Sequence, residues 1–139
     1  MTKEKSEMGR KSRAAGKRFE LKVRHDLQDK GWVVCKWANN VDLITNKLIP
    51  AKHTFNTFTK AMSEGTGFPD FIAFKFKKKV IAIESKMSRT LDTKEKKKIE
   101  WLLQNEIFDV ILVASKGEKR GEILYEQILK GGNKIKTKW

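Results

Sequence analysis

The stretch "GTGFPDFIAFKFKKKVIAIESK", Gly65 to Lys86, constrains this chain more than any other. Phe71–Phe76 and Lys79–Ser85 are rich in β-branched and aromatic residues and flank a lysine turn, so they read as two strands of a hairpin. The second strand contains the apolar run Val80–Ile83 and then ends in Glu84, Ser85 and Lys86. A carboxylate and an ammonium at the end of a buried strand are costly to desolvate unless something uses them. Side chains alternate along a strand, so Glu84 and Lys86 share one face and Ser85 takes the other. Asp70 reaches the same end of the sheet if the turn centres near Lys77 or Lys78. An odd-length turn or a bulge then puts Asp70 on the face of Glu84 and Lys86.

The rest of the chain supplies the frame. Residues 1–13 carry Lys3, Lys5, Arg10, Lys11 and Arg13 and read as a flexible basic arm. From about Ser12 to Lys30 the pattern is helical, with Phe19, Val23 and Leu27 in one stripe and Gly31 placed to end it. "WVVCKW", Trp32–Trp37, reads as a strand, and residues 39–66 as an insertion holding a short hairpin. Asp92 and Glu95 have capping-box spacing for a helix to about Asn105, with Ile99, Leu102 and Leu103 inward. Phe108–Ala114 is a continuous apolar run, as expected for a strand covered on both faces. Glu118–Lys130 reads as a final helix stopped by Gly131-Gly132, and residues 131–139 as a basic tail. The order α, β, insertion, β, β, α, β, α predicts an α/β fold. A mixed central sheet is flanked by helices, in one domain over residues 14–130.

Charge narrows the partner. The 139 residues carry 31 Lys and Arg against 17 acids, a net charge of +14. Such an excess points to a polyanion, with nucleic acid first and an anionic membrane second. No apolar run reaches the roughly 18 residues of a spanning helix. The basic N-terminus lacks the apolar segment of a secretory signal, so a cytoplasmic location is expected. Cys35, the only cysteine, allows no internal disulfide or thiolate zinc site and suits a reducing compartment. His25 and His53 have no metal-ligand spacing, and zinc is not expected.

If Asp70 and Glu84 meet, their repulsion is resolved by a divalent cation. Mg²⁺, with Mn²⁺ as a substitute, prefers hard oxygen ligands and leaves positions for water and a phosphate. Lys86 beside it would orient water and stabilise developing charge, the chemistry of phosphodiester hydrolysis. Glu20, at the edge of the Phe19–Val23–Leu27 stripe, could cover the sheet end as a third carboxylate, or be a solvated residue among Lys17, Arg18 and Lys22. The bland alternative for Glu84 and Lys86 is an exposed surface ion pair, worth little.

"SRAAGKRFELKVRHDLQDKGWVVCKWA", "GTGFPDFIAF" and "VIAIESKM" together resemble the PD-(D/E)XK nuclease superfamily. The likeness is greatest to archaeal Holliday junction resolvases and small virus-type replication–repair nucleases. It spans about Ser12 to Ala114, interrupted by the longer segment Asn39–Met62. The resemblance implies a restriction-endonuclease-like core with Asp70 and Glu84 as metal ligands, and the Ser85 backbone carbonyl as a third. It implies Lys86 as the catalytic lysine, Glu20 as the acidic residue of the first helix, and Ser63 as a loop serine that contacts DNA. It also implies a homodimer cutting branched DNA; an archaeal or viral origin is compatible with the lysine-rich composition.

Phosphate contacts would come from Arg10, Lys11, Arg13, Lys17 and Arg18, immediately before Glu20. Lys94, Lys96, Lys97 and Lys98 open a helix, where positive charge opposes the dipole unless acids or an anionic partner are near. No base-reading motif is present, which favours recognition of shape. Three functions compete. The first is a Mg²⁺-dependent, junction-selective endonuclease; the second is a sequence-selective or nicking enzyme using residues 39–66; the third is a non-catalytic DNA-binding protein on the same fold.

Overall fold

Phe19, Val23 and Leu27 do form a single stripe, and all three are buried in the core. They lie on helix α1, Lys3–Asp29, which docks on the sheet through strands β1 and β7. The helix ends as its glycine predicts. Gly31 has φ 91°, its N–H donates to Gln28 O at 3.0 Å, and Trp32 N–H donates to Leu27 O at 3.0 Å. This paired closure satisfies carbonyls that a helix end otherwise leaves open. The helix starts much earlier than its apolar stripe. Residues 3–13, expected to be a flexible arm, continue α1. Their charged side chains carry no apolar period to mark a helix, but Arg, Lys, Glu and Met are good helix formers.

The computed structural model describes residues 3–51, 54–56, 61–63 and 67–137, with side chains over 7–51 and 67–137. After α1 come β1 (Val33–Lys36), the hairpin β2 (Asn39–Asp42) and β3 (Lys47–Pro50), and the short pair β4 (Thr54–Asn56) and β5 (Ala61–Ser63). Then follow β6 (Phe71–Phe74), β7 (Ile81–Ser85), α2 (Thr93–Gln104), β8 (Val110–Lys116), β9 (Ile123–Ile128) and β10 (Lys134–Thr137). A six-stranded sheet runs β1-β6-β7-β8-β9-β10, with β7 and β8 parallel and the other neighbours antiparallel. The fold is therefore mixed α/β, with a mostly antiparallel sheet. One core layer joins the sheet to α1 through residues such as Ile81, Ile83 and Leu112. The other joins it to α2 through Ala82, Ile111, Val113, Ile99 and Leu102.

Two expectations for the C-terminal part are corrected. The segment 118–130 is not a helix: its centre is strand β9, antiparallel to β8. The tail contributes β10, which pairs with β9. The reason is burial on both faces. Tyr125 faces α1, where its hydroxyl donates to Asp26 Oδ2 at 2.6 Å; Glu126 faces the other side and accepts from Arg89 at 2.7 and 3.1 Å. Two-sided burial erases the alternation that marks a strand.

The insertion is also more structured than one hairpin. β2–β3 lies against α2, burying Val41 in that layer. Its ends are tied together, since Ala51 N–H donates to Ala38 O at 2.9 Å and Phe68 N–H to Asn39 O at 2.8 Å. Gly67 closes this base. A Cβ there would overlap the Trp37 carbonyl oxygen and come within 2.7 Å of the Asn39 oxygen.

Candidate active site

The β6–β7 hairpin fixes which side chains meet. Phe71 faces Ile83, Ile72 faces Ala82 and Ala73 faces Ile81, so the turn centres on Lys77. Lys77 has φ 61°, in the left-handed region, within a turn closed by the Lys78 N–H donating to Lys75 O at 2.9 Å. Continuing this register puts Asp70 opposite Glu84 and on the same face. Glu84 also aligns with Val113 of β8, in the α2-facing layer. Lys86, two residues on, shares that face.

The two acids are buried, Asp70 at 9% exposure and Glu84 at 5%, which removes the surface ion-pair alternative. Asp70 Oδ2 accepts from the Ser85 N–H at 2.9 Å and from the Ser85 hydroxyl at 2.6 Å. Glu84 stands against the same aspartate. Burial first, then a hydrogen bond with Asp70 and the charges of Asp70 and Glu95, push the Glu84 carboxyl up to about 11, against a smaller pull from Lys86. At neutral pH this favours the protonated form of the Glu84 carboxyl.

Lys86 does not pair with Glu84. Its Nζ lies 2.9 Å from Glu95 Oε1. That same oxygen accepts the Asp92 N–H at 3.0 Å, while Glu95 N–H donates to Asp92 Oδ1 at 2.7 Å, completing the capping box of α2. Burial works to lower the Lys86 pKa, but the Glu95 hydrogen bond and the charges of Glu95, Glu84 and Asp92 outweigh it, and the group is held above its ordinary value. Sequence spacing finds Glu95 only as a cap. Its link to Lys86 depends on how α2 docks.

Glu20 approaches from α1. Burial and then the charge of Asp70 raise its pKa, and Lys36 and Lys17 oppose them. Among the described residues, no three His, Cys, Asp or Glu side chains gather into a group able to hold a metal ion, so Glu20 does not complete a triad with Asp70 and Glu84. Of the expected phosphate contacts, Arg10, Lys11, Arg13, Lys17 and Arg18 are all exposed on α1. Arg10, Arg13 and Lys17 precede Glu20 by ten, seven and three residues, so the four share one helical face. Arg18 instead lines a hollow with Phe19, Lys22, Met87 and Lys116. The expected contact at Ser63 concerns a side chain outside the described residues.

The donor set fits a hard cation. Two buried carboxyl groups side by side offer hard oxygen ligands to a divalent ion, whose charge would relieve their repulsion. Among the described residues, no helix is long and apolar enough to cross a membrane. No protein-family model, curated protein or solved structure matches this chain.

Proposed function

We propose that the chain is a Mg²⁺-dependent endonuclease of the PD-(D/E)XK type, with a restriction-endonuclease-like core and branched DNA as its substrate. The observation that carries this reading is the buried Asp70–Glu84 pair at the end of the β6–β7 hairpin, with Lys86 on the same face. Nothing in the packing of the core requires two acids there, and a site that destabilises the fold by holding them is a site kept for chemistry. The succession α1, β1, β6, β7, α2, β8 supports the same reading. So does a net charge of +14, with Arg10, Lys11, Arg13, Lys17 and Arg18 exposed on the helix beside the site. Cytoplasmic function and a homodimer that cuts both strands are part of the proposal.

The reaction is hydrolysis of a phosphodiester. The oxygen of water bonds to phosphorus, one bridging P–O bond breaks, and the leaving oxygen takes up a proton. Asp70, Glu84 and the Ser85 backbone carbonyl would hold the metal, whose contribution is to lower the pKa of water and neutralise phosphate charge. The Ser85 N–H and hydroxyl fix Asp70. The Lys86 ammonium, kept charged and aimed by Glu95, stabilises the charge that builds on phosphate. Glu20 bears on the site through Asp70, and Arg13 and Lys17 lead a phosphate backbone along α1 toward it.

The test is cleavage of matched linear duplex, flap, single-stranded and four-way-junction DNA, with Asp70→Ala beside the wild type. Symmetric cuts confined to the junction are expected. Equal cutting of linear duplex would replace the junction reading with the less selective alternative. Binding without cleavage under Mg²⁺ or Mn²⁺ would leave only the non-catalytic one.

Glu95→Gln separates positioning from folding. Glutamine at this helix position keeps the capping hydrogen bond, so the melting temperature changes little. Lys86 loses its counter-charge, so cleavage falls about tenfold and the high-pH limb of the rate profile moves to lower pH. A large fall in melting temperature with an unmoved pH profile would show that Glu95 acts only as a cap.

A further inference from the structure

Lys98 lies on the α2 face that looks toward the carboxylates. Its ammonium donates to Asn40 Oδ1 at 2.9 Å and sits 5.5 Å from the centre of the Phe68 ring. Asn40 belongs to β2, 58 residues away in the chain, and its oxygen also accepts from Val41 N–H at 2.8 Å. The amide is thereby fixed, and it offers the lysine a neutral partner. Lys98 is partly buried, and burial first, then repulsion from Lys94, lowers its pKa; Asp92, Glu84 and Glu95 oppose this. Two ammonium groups one turn apart destabilise each other, and both stand in the first half of a helix, against its dipole. The acids that could offset them are already engaged. Glu84 is bonded to Asp70, and Glu95 to Lys86 and the helix cap.

We infer that Lys98 and Lys94 form a phosphate-binding wall on the α2 side of the site, with Asn40 of the inserted hairpin holding Lys98 in place. The α1 residues Arg13 and Lys17 form the facing wall, so the nucleic-acid backbone passes between the two helices over the end of β7. This gives the β2–β3 hairpin a part in binding: it buttresses a contact to the backbone and reads no base. The inference rests on the nucleic-acid reading above.

The experiment measures binding of a labelled four-way junction and its matched duplex against salt concentration, with chelator present so that no cutting occurs. Each phosphate contact contributes about 0.9 to the slope of log affinity against log salt. Lys98→Met is expected to reduce the slope by about 0.9 on both DNAs, and Lys98→Arg to restore it. Lys94→Met, which alters an exposed side chain and relieves its repulsion with Lys98, is expected to reduce the slope similarly with a melting temperature no lower than the wild type's. If the wild type binds DNA and both methionine variants keep its slope, the wall is overturned and Lys98 is a tether for the hairpin. If the wild type shows no salt-dependent binding to either DNA, the inference and the nucleic-acid reading fall together.

Discussion

Glu84→Gln will give a protein that melts at a higher temperature than the wild type in chelator at about pH 8, yet does not cut DNA. The carboxyl is pushed up to about 11 by burial, by its hydrogen bond to Asp70, and by the charges of Asp70 and Glu95. In the unfolded chain it titrates near 4.5. Between those values the folded state holds a proton that the unfolded state has released, so the group's contribution to stability is full below about pH 4.5 and is lost as pH rises. The limiting slope is about 1.4 kcal/mol per pH unit. Asp42, Asp92 and Glu126 have lowered pKa values and titrate at acid pH, while Glu20, raised by burial and by Asp70, acts in the same direction as Glu84. Glutamine donates the same hydrogen bond to Asp70 at any pH. The substitution should therefore add about 2 kcal/mol at pH 8, little at pH 5, and flatten the pH dependence between them. Thermal melts at the two pH values measure this. Equal melting temperatures for wild type and variant at pH 8 would show that Glu84 carries no such strain.

Gly67→Ala should have the largest effect of any Gly→Ala change among the described glycines. The new Cβ would meet backbone on two sides, the Trp37 and Asn39 carbonyls, and backbone cannot swing aside as a side chain does. The expected cost is about 2–3 kcal/mol, read as a lower denaturant midpoint. The damage reaches the site, because the same crossing holds the start of β6. Trp37 N–H donates to Asp70 O at 3.1 Å, and Phe68 N–H to Asn39 O at 2.8 Å. Displacing Asp70 by an ångström lowers cleavage about a hundredfold in whatever variant remains folded. A variant with normal stability and normal cleavage would mean that the base of the insertion is looser than its packing shows.

What the sequence discloses follows from where each interaction lies along the chain. The stripe Phe19–Val23–Leu27, its closing Gly31 and the Asp92–Glu95 cap are local, and each appears in the fold as read. The meeting of Asp70 and Glu84 is also nearly local. It needs only the parity of the turn, whose register centres on Lys77. The start of α1 was hidden because residues 3–13 are mostly charged and polar and leave no apolar period. β9 was hidden because Tyr125 and Glu126 are both buried, one on each face, so its pattern imitates a helix. Long-range partners left no trace. The Glu95–Lys86 ion pair is masked by a capping role that already accounts for the glutamate, and Lys98 meets Asn40 only because the inserted hairpin folds back on α2.

The central claim is that Asp70 and Glu84 serve a metal-dependent hydrolysis, and cleavage of one junction substrate tests it most directly. Wild type, Asp70→Asn and Glu84→Gln are compared, each with Mg²⁺ and with chelator, after melts confirm that all three are folded. The account predicts cutting by wild type with Mg²⁺ alone, and a loss of at least about a thousandfold in either variant. Cutting that survives chelation, or that persists at the wild-type rate in both variants, would contradict it.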